Sequence, residues 1–183
     1  MNLKKGLSLI AFGFLFLLVD LRLTFNNSTI TMIPDFVGWI LLTMAFYEMG
    51  RYVNDKRYLV IISIIMAVLS GAYWLLELFK ANIADNLSIV NTIMNIANAF
   101  YMYVLFGILV RIADNYGSRT RDTLSVLRYI NLAVSIILLV IGFLINLENF
   151  RQFVWMITFS GVVALASAIA SAIVLFRLKN EVA

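Results

Sequence analysis

Residues 58–79 read YLVIISIIMAVLSGAYWLLELF, with Glu77 as the one charge in the run. Apolar and polar side chains do not alternate here, as they would along a barrel strand. Coiled as a helix at 1.5 Å per residue, the run is long enough to cross a hydrocarbon layer about 30 Å thick. Five other segments pass the same test, and the six spans run approximately over residues 6–25, 36–53, 58–79, 87–110, 126–147 and 153–176. The expected fold is all-α: one polytopic transmembrane bundle over residues 1–183, with short connections and no room for a soluble domain.

Composition agrees. The chain is 63% apolar and 13% charged, where a soluble domain is about 45–50% apolar and about 25% charged. A water-facing fold of this length could not hide so much apolar surface. There is no Cys and no His, which excludes thiol nucleophiles, imidazole acid–base catalysis, and zinc or haem ligation by either residue. No Gly-rich phosphate loop, G-x-S-x-G elbow or metal-binding helix motif is present. Neither a metal nor a cofactor is expected, and no catalytic residue is assigned. The sole acid–base candidates are intramembrane carboxylates, Asp20 with Asp35 or Glu77.

Cationic side chains orient the bundle, because Lys and Arg concentrate in cytoplasmic loops. Lys4, Lys5, Arg51, Lys56, Arg57, Arg111, Arg119, Arg121, Arg128, Arg177 and Lys179 fall on one side of a six-span threading, against Arg22, Lys80 and Arg151 on the other. Acidic residues divide evenly. Both termini are therefore expected in the cytoplasm, in a multi-pass protein of the cell membrane. Lys4 and Lys5 before an apolar run resemble a signal peptide, but DLRLTFNNST follows in place of a small-residue cleavage site, so the first helix is read as uncleaved. Trp39, Tyr73, Trp74 and Trp155 fall near outer helix ends, and Tyr47, Tyr52, Tyr58 and Tyr129 near inner ends, as amphipathic rings at headgroup level do. Arg57-Tyr58 and Arg128-Tyr129 open the third and fifth spans, with Glu77 and Glu148 at matching distances beyond. This reads either as a faint duplicated hairpin or as a favoured border pair.

Most charges lie near helix ends. Glu48 is spaced to pair with Arg51 and Glu77 with Lys80. Asp20 is harder to place, since it follows an unbroken apolar run and Arg22, two residues on, points to a different helix face. Asp35 is the expected partner of Arg22: Pro34 suits a helix start, and a carboxylate there meets the positive end of the helix dipole. Asp20, Arg22, Asp35 and Glu77 form a candidate outer charged cluster.

Asp20-Leu21-Arg22 and Met32-Ile33-Pro34-Asp35-Phe36-Val37-Gly38-Trp39-Ile40-Leu41 resemble a pattern in small polytopic membrane proteins of Gram-positive bacteria. Those read D-x-R, a short loop, then L-P-D-F-[IV]-G-[YW]-[IL]-L. Met32-Ile33 before the proline, and Trp39 where Tyr is common, depart mildly from it. The resemblance covers residues 20–42; it implies topology and a bacterial origin, and no reaction.

In the fourth span, Ser88, Asn91, Asn95 and Asn98 recur at steps of three and four and share one helical face. An amide facing lipid is costly, so this stripe is expected to meet helices or water, either as interhelical adhesion or as a hydrated path. In the sixth span, Ser160, Ala164, Ala168 and Ala172, flanked by Ser167 and Ser171, form a small-residue packing stripe. It joins either two helices of one chain or two copies in a homo- or hetero-oligomer. The basic segment from Arg111 to Arg128 is expected as the longest loop, attracted to anionic lipid. Asp114 and Asp122 interrupt it, and nucleic acid is not an expected partner.

An enzyme acting through the intramembrane carboxylates fits least, and two other functions fit better. The one that demands least is a non-catalytic membrane partner or assembly subunit. The alternative is a small-molecule or ion transporter or channel, with the charged cluster as vestibule and the Asn stripe as path.

Overall fold

The computed structural model describes residues 2–18, 22–25, 28–31, 35–50, 52–53, 56–78, 88–145 and 154–182. They form six helices: α1 (Leu3–Leu18), α2 (Asp35–Glu48), α3 (Lys56–Leu78), α4 (Ser88–Asn115), α5 (Arg121–Ile145) and α6 (Val154–Glu181). A two-stranded antiparallel hairpin, β1 (Arg22–Phe25) with β2 (Ser28–Thr31), stands between α1 and α2.

The first span departs from expectation. Residues 22–25 are not its last turn: Arg22 pairs with Thr31, Leu23 with Ile30, Thr24 with Thr29 and Phe25 with Ser28. Threonine and isoleucine favour extended backbone, and two residues between the strands suit a tight hairpin. The described parts of α1 and α2, 16 and 14 residues, rise about 24 and 21 Å. The four helices α3 to α6 are each long and apolar enough to cross a membrane.

Neighbours in the ring run α3, α2, α1, α6, α5, α4, and α3 touches α4 only sparsely. Side chains of α4 reach into the middle, with Phe106 against Phe14 of α1 and Tyr101 against both Trp39 and Phe46 of α2. Outside, Ile61, Ile64 and Val68 of α3, Ile136 and Val140 of α5, and Phe159, Val162 and Leu165 of α6 are exposed. Apolar surface on that scale is foreign to water-soluble monomers and suits lipid.

The tightest seam joins α1 to α2. A Cβ on Gly38 would lie 2.9 Å from the Gly13 carbonyl oxygen and 2.7 Å from Leu17 Cγ, and one on Gly13 would lie 3.1 Å from the Gly38 carbonyl oxygen. Two backbones approach this closely only where both lack a side chain. At one end of this pair Lys5 Nζ bonds Glu48 Oε1 at 2.5 Å; Arg51, the partner expected from spacing, lies outside the described residues. The Asn2 side chain caps α1, accepting the Lys5 N–H at 3.2 Å.

The segment from Arg111 to Arg128 is mostly helix, not a long loop. Helix α4 continues to Asn115 and α5 begins at Arg121. Gly117, at φ 60°, stops α4. Its N–H reaches the Asp114 carbonyl at 3.0 Å and the Ser118 N–H reaches that of Ala113 at 2.8 Å, the double bond of a left-handed cap. The Thr120 carbonyl accepts the first bond of α5, from Leu124, and Arg121 Nε closes the turn on Asp114 Oδ1 at 2.9 Å. Ser118 bonds the Glu181 carboxylate, tying the turn to the end of α6. Arg57 sits at the start of α3 while Arg128 lies two turns inside α5, so the two Arg-Tyr pairs are not equivalent borders.

Candidate functional site

Mid-bundle polar groups gather where α2, α3 and α4 meet. Thr43 of α2 and Ser63 of α3 stand 2.8 Å apart, oxygen to oxygen. Thr43 Oγ1 also reaches the Trp39 carbonyl at 2.9 Å, and Ser63 Oγ that of Val60 at 3.0 Å. Each hydroxyl carries one proton, so two protons serve three contacts and one contact must be shared. One turn pair along α3, the buried Ser70 hydroxyl turns back to its own helix at Met66.

Helix α4 brings two further polar atoms. Tyr101 is fully buried, edge-on to Trp39 with ring centroids 5.1 Å apart, and lies beside Ser63. Its hydroxyl comes within weak hydrogen-bonding reach of Ser63 but completes no hydrogen bond of normal geometry among the described residues. Asn98, one turn away on the same face, has its Oδ1 buried and equally unpaired among them. A buried polar atom left without a partner costs about 1–3 kcal/mol. Both atoms belong to neutral groups, and no Asp, Glu, Lys or Arg takes part in the hydrogen bonds that join Thr43 and Ser63.

The Asn stripe of α4 is therefore divided. Asn98 faces the core; Asn95 is exposed, as are Thr92, Ile93 and Ile96 around it. Ser88 and Asn91 lie on α4, but their side chains are outside the described residues. Sequence reading missed Tyr101 and its neighbours Thr43 and Ser63, because isolated hydroxyls in apolar runs carry no spacing signal. It also took Trp39 for a headgroup-level ring, whereas Trp39 is buried against Tyr101.

Adhesion between helices falls to a different amide. Asn131 of α5 accepts from Ser167 Oγ at 2.7 Å and donates to Ser171 Oγ at 3.4 Å. Ser160, Ala168 and Ala172 of the small-residue stripe are buried and Ala164 half-buried within this chain, where α6 packs on α1 and α5. Asn131→Leu is expected to cost about 0.6–1.7 kcal/mol, the range for interhelical hydrogen bonds in membranes. Thermal unfolding of the purified protein in detergent measures it.

Of the outer charged cluster, Arg22 lies in β1 and Asp35 is the exposed first residue of α2, with a polar contact of its own. Glu77 is in the last turn of α3, against which β2 packs. The backbone thus brings Arg22, Asp35 and Glu77 to one end of the bundle. The Asp20 position and the Arg22 and Glu77 side chains lie outside the described residues, as do Met32, Ile33, Pro34, Arg51 and Lys80. Among the described residues no group of three or more Asp or Glu could hold a metal ion. Comparison of the chain with protein-family models, with curated proteins and with solved structures finds no match, so the site is read from its own geometry.

Proposed function

We propose that this chain is a six-span protein of the bacterial cell membrane, with both termini cytoplasmic, that binds and passes a small, neutral, polar solute between α2, α3 and α4. The observation that carries this reading is the pair of buried polar atoms, Tyr101 Oη and Asn98 Oδ1, that complete no hydrogen bond of normal geometry among the described residues, on one face of α4 beside the Thr43–Ser63 pair. Hydroxyl and amide groups offer both donors and acceptors and no charge, so the matching solute carries hydroxyl or amide groups and no net charge. The sparse contact between α3 and α4 leaves these helices freest to move apart. Arg22, Asp35 and Glu77 would line the outer approach.

Sidedness follows from the cations and does not depend on how deep α1 and α2 reach. A helical hairpin returns the chain to the side it left, so Lys4 and Lys5 share a face with Arg57, Arg119 and Arg177 in either case. A fluorescent reporter that matures only in the cytoplasm, fused at Ala183, is expected to be bright. A second reading, the non-catalytic membrane partner, has the exposed Asn95 in its favour, since a partner helix would relieve an amide facing lipid.

Proteoliposome swelling separates the two. Liposomes carrying the protein are expected to admit glycerol or urea faster than empty ones, and Asn98→Leu to slow them. Equal rates with and without the protein would refute the solute reading. Unchanged flux in Asn98→Leu, with loss of a co-purifying membrane protein in Asn95→Leu, would favour the partner.

A further inference from the structure

Arg128 is a cation well inside a helix that runs into lipid. It lies seven residues from the start of α5, a rise of about 10 Å, and is half-buried. Its guanidinium carbon sits 3.8 Å from the centre of the Tyr103 ring, and its Nε donates to the Tyr103 carbonyl at 3.1 Å. Beneath it is Gly107, where a Cβ would meet the guanidinium at 3.1 Å. Ring, carbonyl and bare glycine hold the planar fork flat against α4.

That fork has five N–H donors, one of which goes to the Tyr103 carbonyl. Among the described residues no carboxylate lies within salt-bridge distance of it: Asp114 and Asp122 both turn to Arg121, and Glu48 to Lys5. Arg111 stands one turn from Gly107 on the same face of α4, exposed and likewise without an acidic partner among the described residues. A half-buried cation at this depth calls for an anion, and two guanidiniums at one face of α4 suit the two free oxygens of a phosphodiester.

We propose that Arg128 and Arg111, on the α4–α5 face around Tyr103 and Gly107, form a binding site for the phosphate of an anionic phospholipid. The site sits where lipid phosphates lie, about a headgroup's depth from the helix ends, and Tyr103 orients the guanidinium. It is independent of the solute site between α2, α3 and α4, and of which membrane face is cytoplasmic.

The test uses the full chain in nanodiscs of phosphatidylcholine alone or with phosphatidylglycerol, with bound lipid counted by native mass spectrometry. Wild type is expected to retain phosphatidylglycerol preferentially. Arg128→Gln and Arg111→Gln should each reduce that preference at least about fivefold, the equivalent of about 1 kcal/mol per basic residue near the membrane surface. Arg128→Lys should restore it in part, since it keeps the charge and loses the fork. Gly107→Val, which fills the notch, should act like Arg128→Gln. Arg119→Gln, an exposed turn residue, should change retention less than twofold.

Arg111→Gln touches no packed contact and remains informative if Arg128→Gln fails to fold. Unchanged preference in Arg111→Gln or Arg128→Gln would overturn the proposal. So would an equal loss in Arg119→Gln, which would mean diffuse charge, or displacement of the lipid by millimolar inorganic phosphate, which would mean a free-anion site.

Discussion

Gly38→Leu is expected to abolish recovery of folded protein, and Gly38→Ala to destabilise it by about 1–3 kcal/mol, the cost of overpacking a close contact. The reason is the α1–α2 seam. A methyl group at residue 38 would stand 2.9 Å from the Gly13 carbonyl oxygen, which is backbone and cannot turn aside, and 2.7 Å from Leu17. The two helices would have to part. Their separation would also disturb Trp39, Leu42 and Phe46, all buried on the same helix, and through Trp39 the position of Tyr101. Gly161 provides the control: a Cβ there meets nothing within 4 Å, so Gly161→Leu should stay within about 0.5 kcal/mol of wild type. Fluorescence-detected size exclusion after heating reports all three variants. A Gly38→Leu protein as monodisperse and heat-resistant as wild type would show that α1 and α2 do not cross at these glycines.

Tyr101→Phe and Asn98→Leu are expected to move stability and activity in opposite directions. Each removes a buried polar atom that has no partner among the described residues, and replacement by an apolar group of similar shape recovers up to about 1–3 kcal/mol. Each also removes a hydrogen bond to the solute, worth about 0.5–1.5 kcal/mol, or about twofold to tenfold in binding. The pair should therefore raise the thermal midpoint in detergent and slow glycerol or urea entry into proteoliposomes. If both variants are more stable and flux is unchanged, the polar atoms are packing faults and not a site. If both lose stability, protein groups satisfy them and the argument from unpaired atoms fails.

Much of the architecture is legible in the sequence because long apolar runs admit few alternatives. The runs that become α3 to α6 are helical for that reason, and the Asn98 and Ala168–Ala172 positions face inward as their spacing requires. The first span misleads, because an apolar count over residues 6–25 cannot see that Thr24, Thr29 and Ile30 prefer a paired strand. The Arg111–Arg128 stretch misleads in the opposite sense. Charge does not end a helix, and α4 continues to Asn115 and α5 begins at Arg121. Tight packing is the hardest to read. Gly13 and Gly38 are far apart in the chain and become partners only once α1 and α2 are antiparallel, whereas the regular stripe on α6 is visible at once. The candidate site is partly legible: Asn98 belongs to a pattern, but Tyr101, Thr43 and Ser63 converge from three helices and share no spacing.

The chain has no cysteine, so single thiols can report whether water reaches the polar groups inside the bundle. Asn98→Cys and Thr43→Cys, treated in membranes with a small, charged, membrane-impermeant thiol reagent, are compared with Leu175→Cys, which replaces a fully buried apolar residue of α6. Labelling at positions 98 and 43, slowed by millimolar glycerol or urea, with position 175 protected, is the result the solute site predicts. Protection of all three positions to the same degree would contradict it.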